Sequence, residues 1–375
     1  MTKTVFKFLA VVPPGIEDVT LGEVKSLFNS GKKVRGGVEF SGDISTLMKA
    51  NLYLRTPTRI LLTVGRFKAK DFKSLVQRTA RYPWEIYCPK GIPLKIRVTS
   101  SHSRLWHTDA VKERLLKGIE GRLGYRPTLC PKGEVQDHDQ YQLLVCRLKN
   151  DICTLEVDTS GDFLFKRGYK VSKGLAPLRE NLAAALILAS GWDKDSPLLD
   201  PFCGTGTIPI EAALMLRNIP PGAKRTFPFF RWRIFDARLW EDILYGALEG
   251  VRREEMSPII FARDRDPAMV KATCENAKRA GVLEDISVER LSFETSAPPS
   301  NRPGWIVTNL PYGERLKEGG ESAFLKTINE HIGKNYRGWK VFCLFPTAQT
   351  RLTREAREVL RFFHGGIKVS LLRLS

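Results

Sequence analysis

Several things are missing from this chain of 375 residues, and each absence removes a class of function. No apolar run reaches the ~20 residues that a bilayer-spanning helix needs, so no membrane is expected. The opening Lys3–Val12 is too short and too charged for a secretion signal, which makes the cytoplasm the expected address. Cysteine is sparse and odd in number, seven residues at 88, 130, 146, 153, 203, 274 and 343, never spaced Cys-x-x-Cys. That pattern argues for reduced thiols rather than a disulfide framework. The five histidines, at 102, 107, 138, 331 and 364, are not spaced as a ligand pair, so no metal is expected. No glycine turn ends in Gly-Lys-Ser/Thr, which excludes a Walker-type phosphate loop. Internal repeats and low-complexity tracts are absent.

Acidic residues are the remaining scarcity. Asp and Glu number 41 against 60 Lys and Arg, a net charge of +19. The excess is concentrated early: residues 1–150 carry 27 basic and 13 acidic side chains, and residues 51–100 hold 11 against 2. In that stretch the cations are interleaved with Tyr53, Phe67, Phe72, Tyr82, Trp84 and Tyr87. Such a mixture suits a surface that meets phosphates and stacks bases. No basic amphipathic helix with a strongly apolar face accompanies it, so RNA is a better partner than a membrane.

The length suggests two or three domains. Residues 1–45 read as small α+β: Phe6, Phe8, Ala10 and Val12 at strand spacing, a Pro13-Pro14-Gly15 turn, a helix through Val19, Val24 and Leu27, and a strand at Gly36–Phe40. Residues 46–160 continue with an alternating strand at Leu94–Val98, a helix over Thr108–Leu123, and strands at Gln142–Leu148 and Cys153–Val157. Asp158–Asp162, small and polar, reads as a hinge before a third domain at 161–375.

The third domain contains a strand, Pro197–Asp200, then the turn Pro201-Phe202-Cys203-Gly204-Thr205-Gly206-Thr207, then an apolar helix. In a doubly wound sheet this turn lies at the carboxyl end of a strand, where glycines let backbone approach a nucleotide-like ligand. A dinucleotide fingerprint would need a third glycine at position 209, which is Pro209. The remaining candidate is S-adenosylmethionine. Asp200 would face its amino group, and the backbone of Gly204, Thr205 and Gly206, flanked by Phe202, would pass along its amino acid part. A second strand, Ile259–Phe261, runs to Asp264 and Arg265, and a carboxylate at Asp264 suits the two ribose hydroxyls. Asp266 instead reads as a helix N-cap with Pro267 at the first helical position. Cys203 reads as packing.

A third strand, Trp305–Val307, leads into Asn309-Leu310-Pro311-Tyr312. An ordinary turn leaving a buried strand has this composition too. Its chemistry nonetheless fits the activation of an amine conjugated to a base ring, a poor nucleophile because its lone pair is delocalised. Two acceptors, the Asn309 side-chain oxygen and a backbone carbonyl at Leu310 or Pro311, would each take one N–H and turn the lone pair toward an electrophilic methyl. Pro311 fixes the backbone, and Tyr312 offers a face on which the base stacks.

Together these segments resemble the bacterial family of THUMP-domain RNA methyltransferases, most of all the amino-terminal half of the large-subunit rRNA guanine-N2 methyltransferase. The resemblance runs from about residue 5 to residue 345. It is carried by Lys166-Arg167-Gly168-Tyr169, Ala176-Pro177-Leu178-Arg179-Glu180, Asp200–Thr207, Asp264 with Asn276-Ala277 and Ala280-Gly281-Val282, and Asn309–Leu316. It implies a class I, Rossmann-like α/β methyltransferase domain with a mixed seven-stranded sheet, preceded by α+β ferredoxin-like and THUMP domains. It also implies guanine-N2 methylation of structured RNA, 23S rRNA above all and tRNA as the alternative, with the cofactor held by the glycine turn, Pro177, Leu178 and Asp264. The family places an Asp for the adenine amino group where this chain has Ser292, a weaker acceptor, with Phe293 beside it to pack on adenine. It commonly has Pro where Leu310 stands.

Between the Asp200 and Asp264 strands lies an insertion containing Lys224–Arg233, rich in Phe and Trp. It reads either as a plug in the helix layer or as a wall touching RNA through Arg231 and Arg233. Arg167, Tyr169 and Lys173 are further candidate RNA contacts. The Asn-x-Pro-Tyr arrangement is also similar to that of DNA adenine-N6 and protein glutamine methyltransferases, and a non-catalytic ribosome-assembly factor with a relic cofactor site is the reading from a different class.

Overall fold

The structure is a computed structural model that describes residues 4–131, 140–170, 178–254, 257–311, 321–347 and 356–374. Its chain divides into two compact units, one of Met1–Val11, Glu23–Leu164 and Gly222–Gly246, the other of Val12–Gly22, Phe165–Pro221 and Ala247–Ser375.

The first unit is built on a seven-stranded sheet of order β2-β3-β1-β4-β7-β6-β5. The run β1 (Phe6–Val11), α1 (Glu17–Phe28), β2 (Lys32–Val34), β3 (Gly37–Gly42), α2 (Ile44–Tyr53), β4 (Arg59–Lys68) has the β-α-β-β-α-β connectivity and the strand order of a ferredoxin-like fold. After α3 (Phe72–Thr79) and α4 (Trp84–Tyr87) come β5 (Leu94–Ser101), α5 (Thr108–Leu123), β6 (Gln142–Lys149) and β7 (Ile152–Asp158). β4 pairs with β1 on one side and β7 on the other. The boundary expected at residue 45 therefore falls inside a continuous sheet, because the ferredoxin-like set needs β4 to complete it.

Two further expectations are corrected here. Asp158, Thr159 and Ser160 are buried. Ser160 Oγ donates to Asn51 Oδ1 at 2.7 Å, Asn51 Nδ2 donates to Thr159 Oγ1 at 2.8 Å, and Arg59 pairs with Asp158. Small polar residues satisfy one another inside the unit, so this segment is no hinge. Of the aromatics interleaved with cations, Phe67, Trp84 and Tyr87 are buried, and Tyr53, Phe72 and Tyr82 are half-buried. Each large ring is worth more in a core than on a wet face, so this set is packing and not a stacking surface.

The aromatic insertion belongs to the first unit rather than to the helix layer where the sequence suggested a plug. Trp232 Nε1 donates to Gln142 Oε1 at 2.9 Å, and its ring meets Tyr87 edge-on at 5.1 Å. Arg225 donates to the carbonyls of Asp162 and Phe163, and Phe227, Phe229, Phe230 and Trp240 form one cluster. Arg231 and Arg233 are exposed.

The second unit contains α6 (Glu180–Ser190), β8 (Leu198–Asp200), α7 (Thr207–Leu216), β9 (Ile260–Asp264), α9 (Pro267–Ala280), β10 (Ile286–Arg290), β11 (Trp305–Asn309), α10 (Glu321–Asn335), β12 (Lys340–Pro346), β13 (Arg357–His364) and β14 (Ile367–Arg373); α8 (Ala237–Glu249) precedes β9. Its sheet runs β10-β9-β8-β11-β12-β14-β13, parallel from β10 to β12, with β14 antiparallel to both neighbours. The central strands are covered on both faces, which is why they are short continuous apolar runs. On one side Leu198, Ala262 and Val307 pack with α6 and α7; on the other Leu199, Ile306 and Val341 pack with α10 residues Ile328 and Ile332. Strand order reverses at β8, flanked by β9 and β11, so a crevice opens at their carboxyl ends. Among the described residues no helix is long and apolar enough to cross a membrane.

Candidate active site

That crevice is a cavity of about 530 Å³. Leu178, Asp200, Phe202, Gly204, Thr205, Asp264, Arg265, Ser292, Phe293, Asn309 and Pro311 all line it, brought together from the ends of β8, β9, β10 and β11. The predicted residues Tyr312, Pro177 and Lys173 lie outside the described residues. Among the described residues no His, Cys, Asp and Glu side chains gather to hold a metal ion.

The glycine turn is held open by backbone conformation and pinned from behind. Gly204 and Gly206 have φ of +55° and +81°, values that side chains rarely tolerate. A Cβ on Gly206 would stand 2.7 Å from Thr273 Cγ2, whereas one on Gly204 would point into open space. From α9, Thr273 Oγ1 donates to the Gly204 carbonyl at 2.8 Å and Asn276 Nδ2 to the Thr205 carbonyl at 2.9 Å. Cys203 is buried with its sulfur 3.6 Å from Thr273 Oγ1, which fits the packing role expected for it.

Asp200 is buried at the end of β8, where its Oδ1 accepts from Thr308 Oγ1 at 2.6 Å and from the Phe202 amide at 3.2 Å. Burial pushes its carboxyl up to about 7, opposed by those hydrogen bonds and helped by the Asp264 carboxylate. A buried carboxylate with no cation beside it is costly, so this position suits a ligand ammonium. Asp264 uses Oδ2 to accept from the Gly204 amide at 2.9 Å and Oδ1 from the Asp266 amide at 2.9 Å. It ties β9 to the glycine turn, and Asp266 caps α9 as expected by accepting from Ala268 N.

The Ser292 hydroxyl donates to Glu294, two residues on, whose carboxylate also lines the cavity, and its oxygen keeps its lone pairs for a further donor. Glu294 is held below the usual carboxylate range, burial being outweighed by the hydrogen bonds from Ser292 and its own amide. Phe293 is buried between Phe202, His331 and Tyr336, and Ser296 Oγ bonds Tyr336 Oη at 2.8 Å beneath it. Asn309 sits at the end of β11 with a buried Oδ1 that has no hydrogen-bond partner among the described residues. An orphaned acceptor in a cavity costs about 1–3 kcal/mol until a donor arrives.

Arg167 and Tyr169 do not line the cavity and are not surface contacts. Arg167 Nε lies 3.6 Å from buried Glu211 on α7, and Tyr169 Oη donates to the same Oε1 at 3.2 Å. A buried Glu demands such partners, which takes both side chains away from any RNA. The next residue, Lys170, donates from Nζ to the carbonyl of the cavity residue Leu178 at 2.6 Å. Sequence reasoning missed Thr308, Glu294, Met269 and Phe324, all in or against the cavity. Of these, only Thr308 carried a local signal, a hydroxyl immediately before Asn309.

Comparison with known proteins agrees with this geometry. Residues 167–361 match the family described as the RMKL-like methyltransferase domain, UPF0020, and residues 7–61 match the RlmL ferredoxin-like domain. The chain is 33% identical over 369 residues to YpsC of Bacillus subtilis (strain 168), a proposed RNA methyltransferase, covering 97% of this chain and 94% of that one. It is 31% identical over 381 residues to ribosomal RNA large subunit methyltransferase K/L of Syntrophotalea carbinolica, covering 98% of this chain but 53% of the relative. The chain thus spans about half the length of the K/L relative. The crystal structure of SMU.472, a proposed methyltransferase complexed with SAH, superposes with a TM-score of 0.85 at 29% identity, over 99% of this chain and 98% of that one.

Proposed function

The chain belongs to the RMKL-like methyltransferase family, and from that membership we propose that it transfers a methyl group to the exocyclic N2 of a guanine in structured RNA, 23S rRNA first. S-adenosylmethionine is its cofactor, and it supplies an electrophilic methyl on a sulfonium. The residues fit that group: Asp200 for its ammonium, the Gly204–Gly206 backbone for its amino acid part, Asp264 for the ribose hydroxyls, and Phe293 with Glu294 around the adenine.

The observation that carries the reading is Asn309 Oδ1, a buried acceptor without a partner among the described residues, in the same cavity as Asp200. It accepts one N–H of the guanine amine, and the Leu310 or Pro311 carbonyl takes the other. The nitrogen lone pair then turns from the ring toward the methyl. Tyr312 stacks on the extruded base. A proton leaves the methylated nitrogen for solvent. The first unit grips the RNA in the manner of a THUMP domain, and the exposed Arg231 and Arg233 add phosphate contacts.

Transfer of tritium from labelled S-adenosylmethionine into 23S rRNA and, separately, into tRNA from a host lacking this gene tests the reading, with the nucleosides analysed by mass spectrometry. N2-methylguanosine in 23S rRNA is the expected product. The same nucleoside in tRNA alone would move the substrate, and a different methylated nucleoside would refute the role given to Asn309.

A further inference from the structure

The first unit carries a cationic sheet face that the methyl-transfer cavity does not use. Across β5, β6, β7 and β4 the side chains alternate strictly at the end of the sheet beyond residue 145. Ile96, Leu148, Cys153, Leu155 and Phe67 are buried, while the residues between them face outward. The register aligns those outward residues in rows. Lys68 pairs with Ile152, Ile152 with Lys149 and Lys149 with Ser101; one step in, Arg66 pairs with Thr154, Thr154 with Arg147 and Arg147 with Thr99. Lys68 and Lys149 are therefore about 10 Å apart at Cα, two strand spacings, with Arg66 and Arg97 on the same face.

An antiparallel face left to solvent ordinarily mixes polar residues of both signs. Here Arg66, Lys68, Arg97 and Lys149 are all exposed, and none is in an ion pair among the described residues. Glu156 on this face is buried and paired with Arg147, Asp158 is buried and paired with Arg59, and Glu39 lies toward the other end of the face on β3.

A large aromatic stands in the loop that leaves β5 at the same end of the sheet. Trp106 is 73% exposed, the most exposed aromatic side chain of the unit, with the Arg104 side chain exposed nearby in the same loop. The loop that presents it is tied to the sheet end. Ala69 N donates to the Asp151 carbonyl at 2.8 Å, Arg104 N to Asp151 Oδ1 at 2.8 Å, Asp151 N to Ser103 Oγ at 3.0 Å, and Ser100 Oγ to the Leu105 carbonyl at 2.9 Å. Asp151, the acid at this corner, spends its carboxylate on backbone. Leaving a Trp in water on a fastened loop forgoes its burial energy, which a stacked base restores.

We propose that this face docks a single-stranded segment of the RNA substrate, its phosphates on Arg66, Lys68, Arg97 and Lys149 and an unpaired base on Trp106. The proposal rests on the reading of the protein as an RNA methyltransferase and adds the place and form of RNA it grips. Binding of a fluorescein-labelled oligouridylate to the full chain, followed by anisotropy across a salt series, tests it. The variant Lys68→Glu/Lys149→Glu should bind at least about tenfold more weakly, and its slope of log affinity against log salt should be shallower by about 1.4, two single-strand phosphates. Trp106→Ala should also lose about tenfold, leave the slope unchanged, and leave binding of a blunt RNA duplex unchanged. The affinity for S-adenosylhomocysteine, measured on the same preparations, should match the parent and so exclude misfolding; Lys68→Gln/Lys149→Gln should show a smaller loss in the same direction.

If the parent methylates RNA and the charge-reversed variant binds the oligouridylate as tightly with the same slope, the docking face is refuted while the enzymatic reading stands. If the parent neither binds nor methylates RNA, both fall together. Binding to phosphatidylglycerol vesicles in place of RNA, abolished by the same two substitutions, would refute RNA as the occupant.

Discussion

Asp200 should make cofactor affinity depend on pH in a direction that an ordinary carboxylate would not give. Burial raises its carboxyl to about 7 in the ligand-free protein, so the group is mostly neutral at pH 6 and mostly ionised at pH 8. A ligand ammonium beside it favours the carboxylate, and binding at pH 6 must therefore expel a proton. With a free-state value of about 7, the affinity for S-adenosylhomocysteine falls about tenfold between pH 8 and pH 6, about 1.4 kcal/mol. Titration calorimetry in two buffers of different ionisation heat should count about 0.9 proton released per ligand at pH 6 and about 0.1 at pH 8. Stability moves the opposite way. The native state holds this proton more tightly than the unfolded chain does, so the contribution is fully present below about pH 4 and is lost as pH rises to about 7, at most about 4 kcal/mol in all. Melting of the free protein should therefore weaken from pH 6 to pH 8 relative to Asp200→Asn, while ligand binding strengthens. Constant affinity over that range with no buffer-dependent heat would refute the pairing of Asp200 with the ammonium.

Asn309→Ala removes one of two amine acceptors and should slow methyl transfer about 100- to 1000-fold, with affinity for S-adenosylhomocysteine changed less than about twofold; equal loss of both in a filter assay and calorimetry would refute the role. Gly206→Ala forces a methyl against Thr273 at a φ of +81° and should cost about 1–3 kcal/mol in denaturant unfolding. Gly204→Ala, with open space before it, should cost about 1 kcal/mol of stability but proportionately more cofactor affinity, since the new methyl enters the cavity. Trp232→Phe deletes the indole bond to Gln142 and should destabilise the first unit by about 1–3 kcal/mol, read by thermal unfolding, without changing cofactor affinity.

The parts of the site that were legible in the sequence are those whose chemistry is local to a strand end. Asp200, Asp264 and Asn309 end strands that are apolar runs, Gly204 and Gly206 lie in the turn just after one, and a parallel sheet gathers the carboxyl ends of its strands on one edge. What escaped is set by partners distant in sequence. Arg167 and Tyr169 looked like RNA contacts because they are polar and sit between domains, but Glu211, more than forty residues on, draws them inward. Ser292 was read without Glu294, whose carboxylate accepts its hydroxyl and lines the same cavity. The ferredoxin-like boundary was misplaced because turn residues near 45 are visible, whereas the pairing of β4 with both β1 and β7 is not.

The reading of residues 51–100 as one mixed surface failed for a reason of strand geometry. Arg66-Phe67-Lys68 places a ring between two cations in sequence, and in a strand successive side chains point to opposite faces. The interleaving is thus the alternation itself: Phe67 is buried on one side, Arg66 and Lys68 are exposed on the other. Cations and aromatics that share a surface must be separated by an even number of positions along a strand, or be joined across strands or from a loop. The proposed docking face uses the last condition, since Trp106 lies beyond β5 in a loop tied to this end of the sheet by the hydrogen bonds of Asp151 and Ser100. On the proposed docking face, the aromatic that joins the cations comes from outside the stretch where charge and rings are densest.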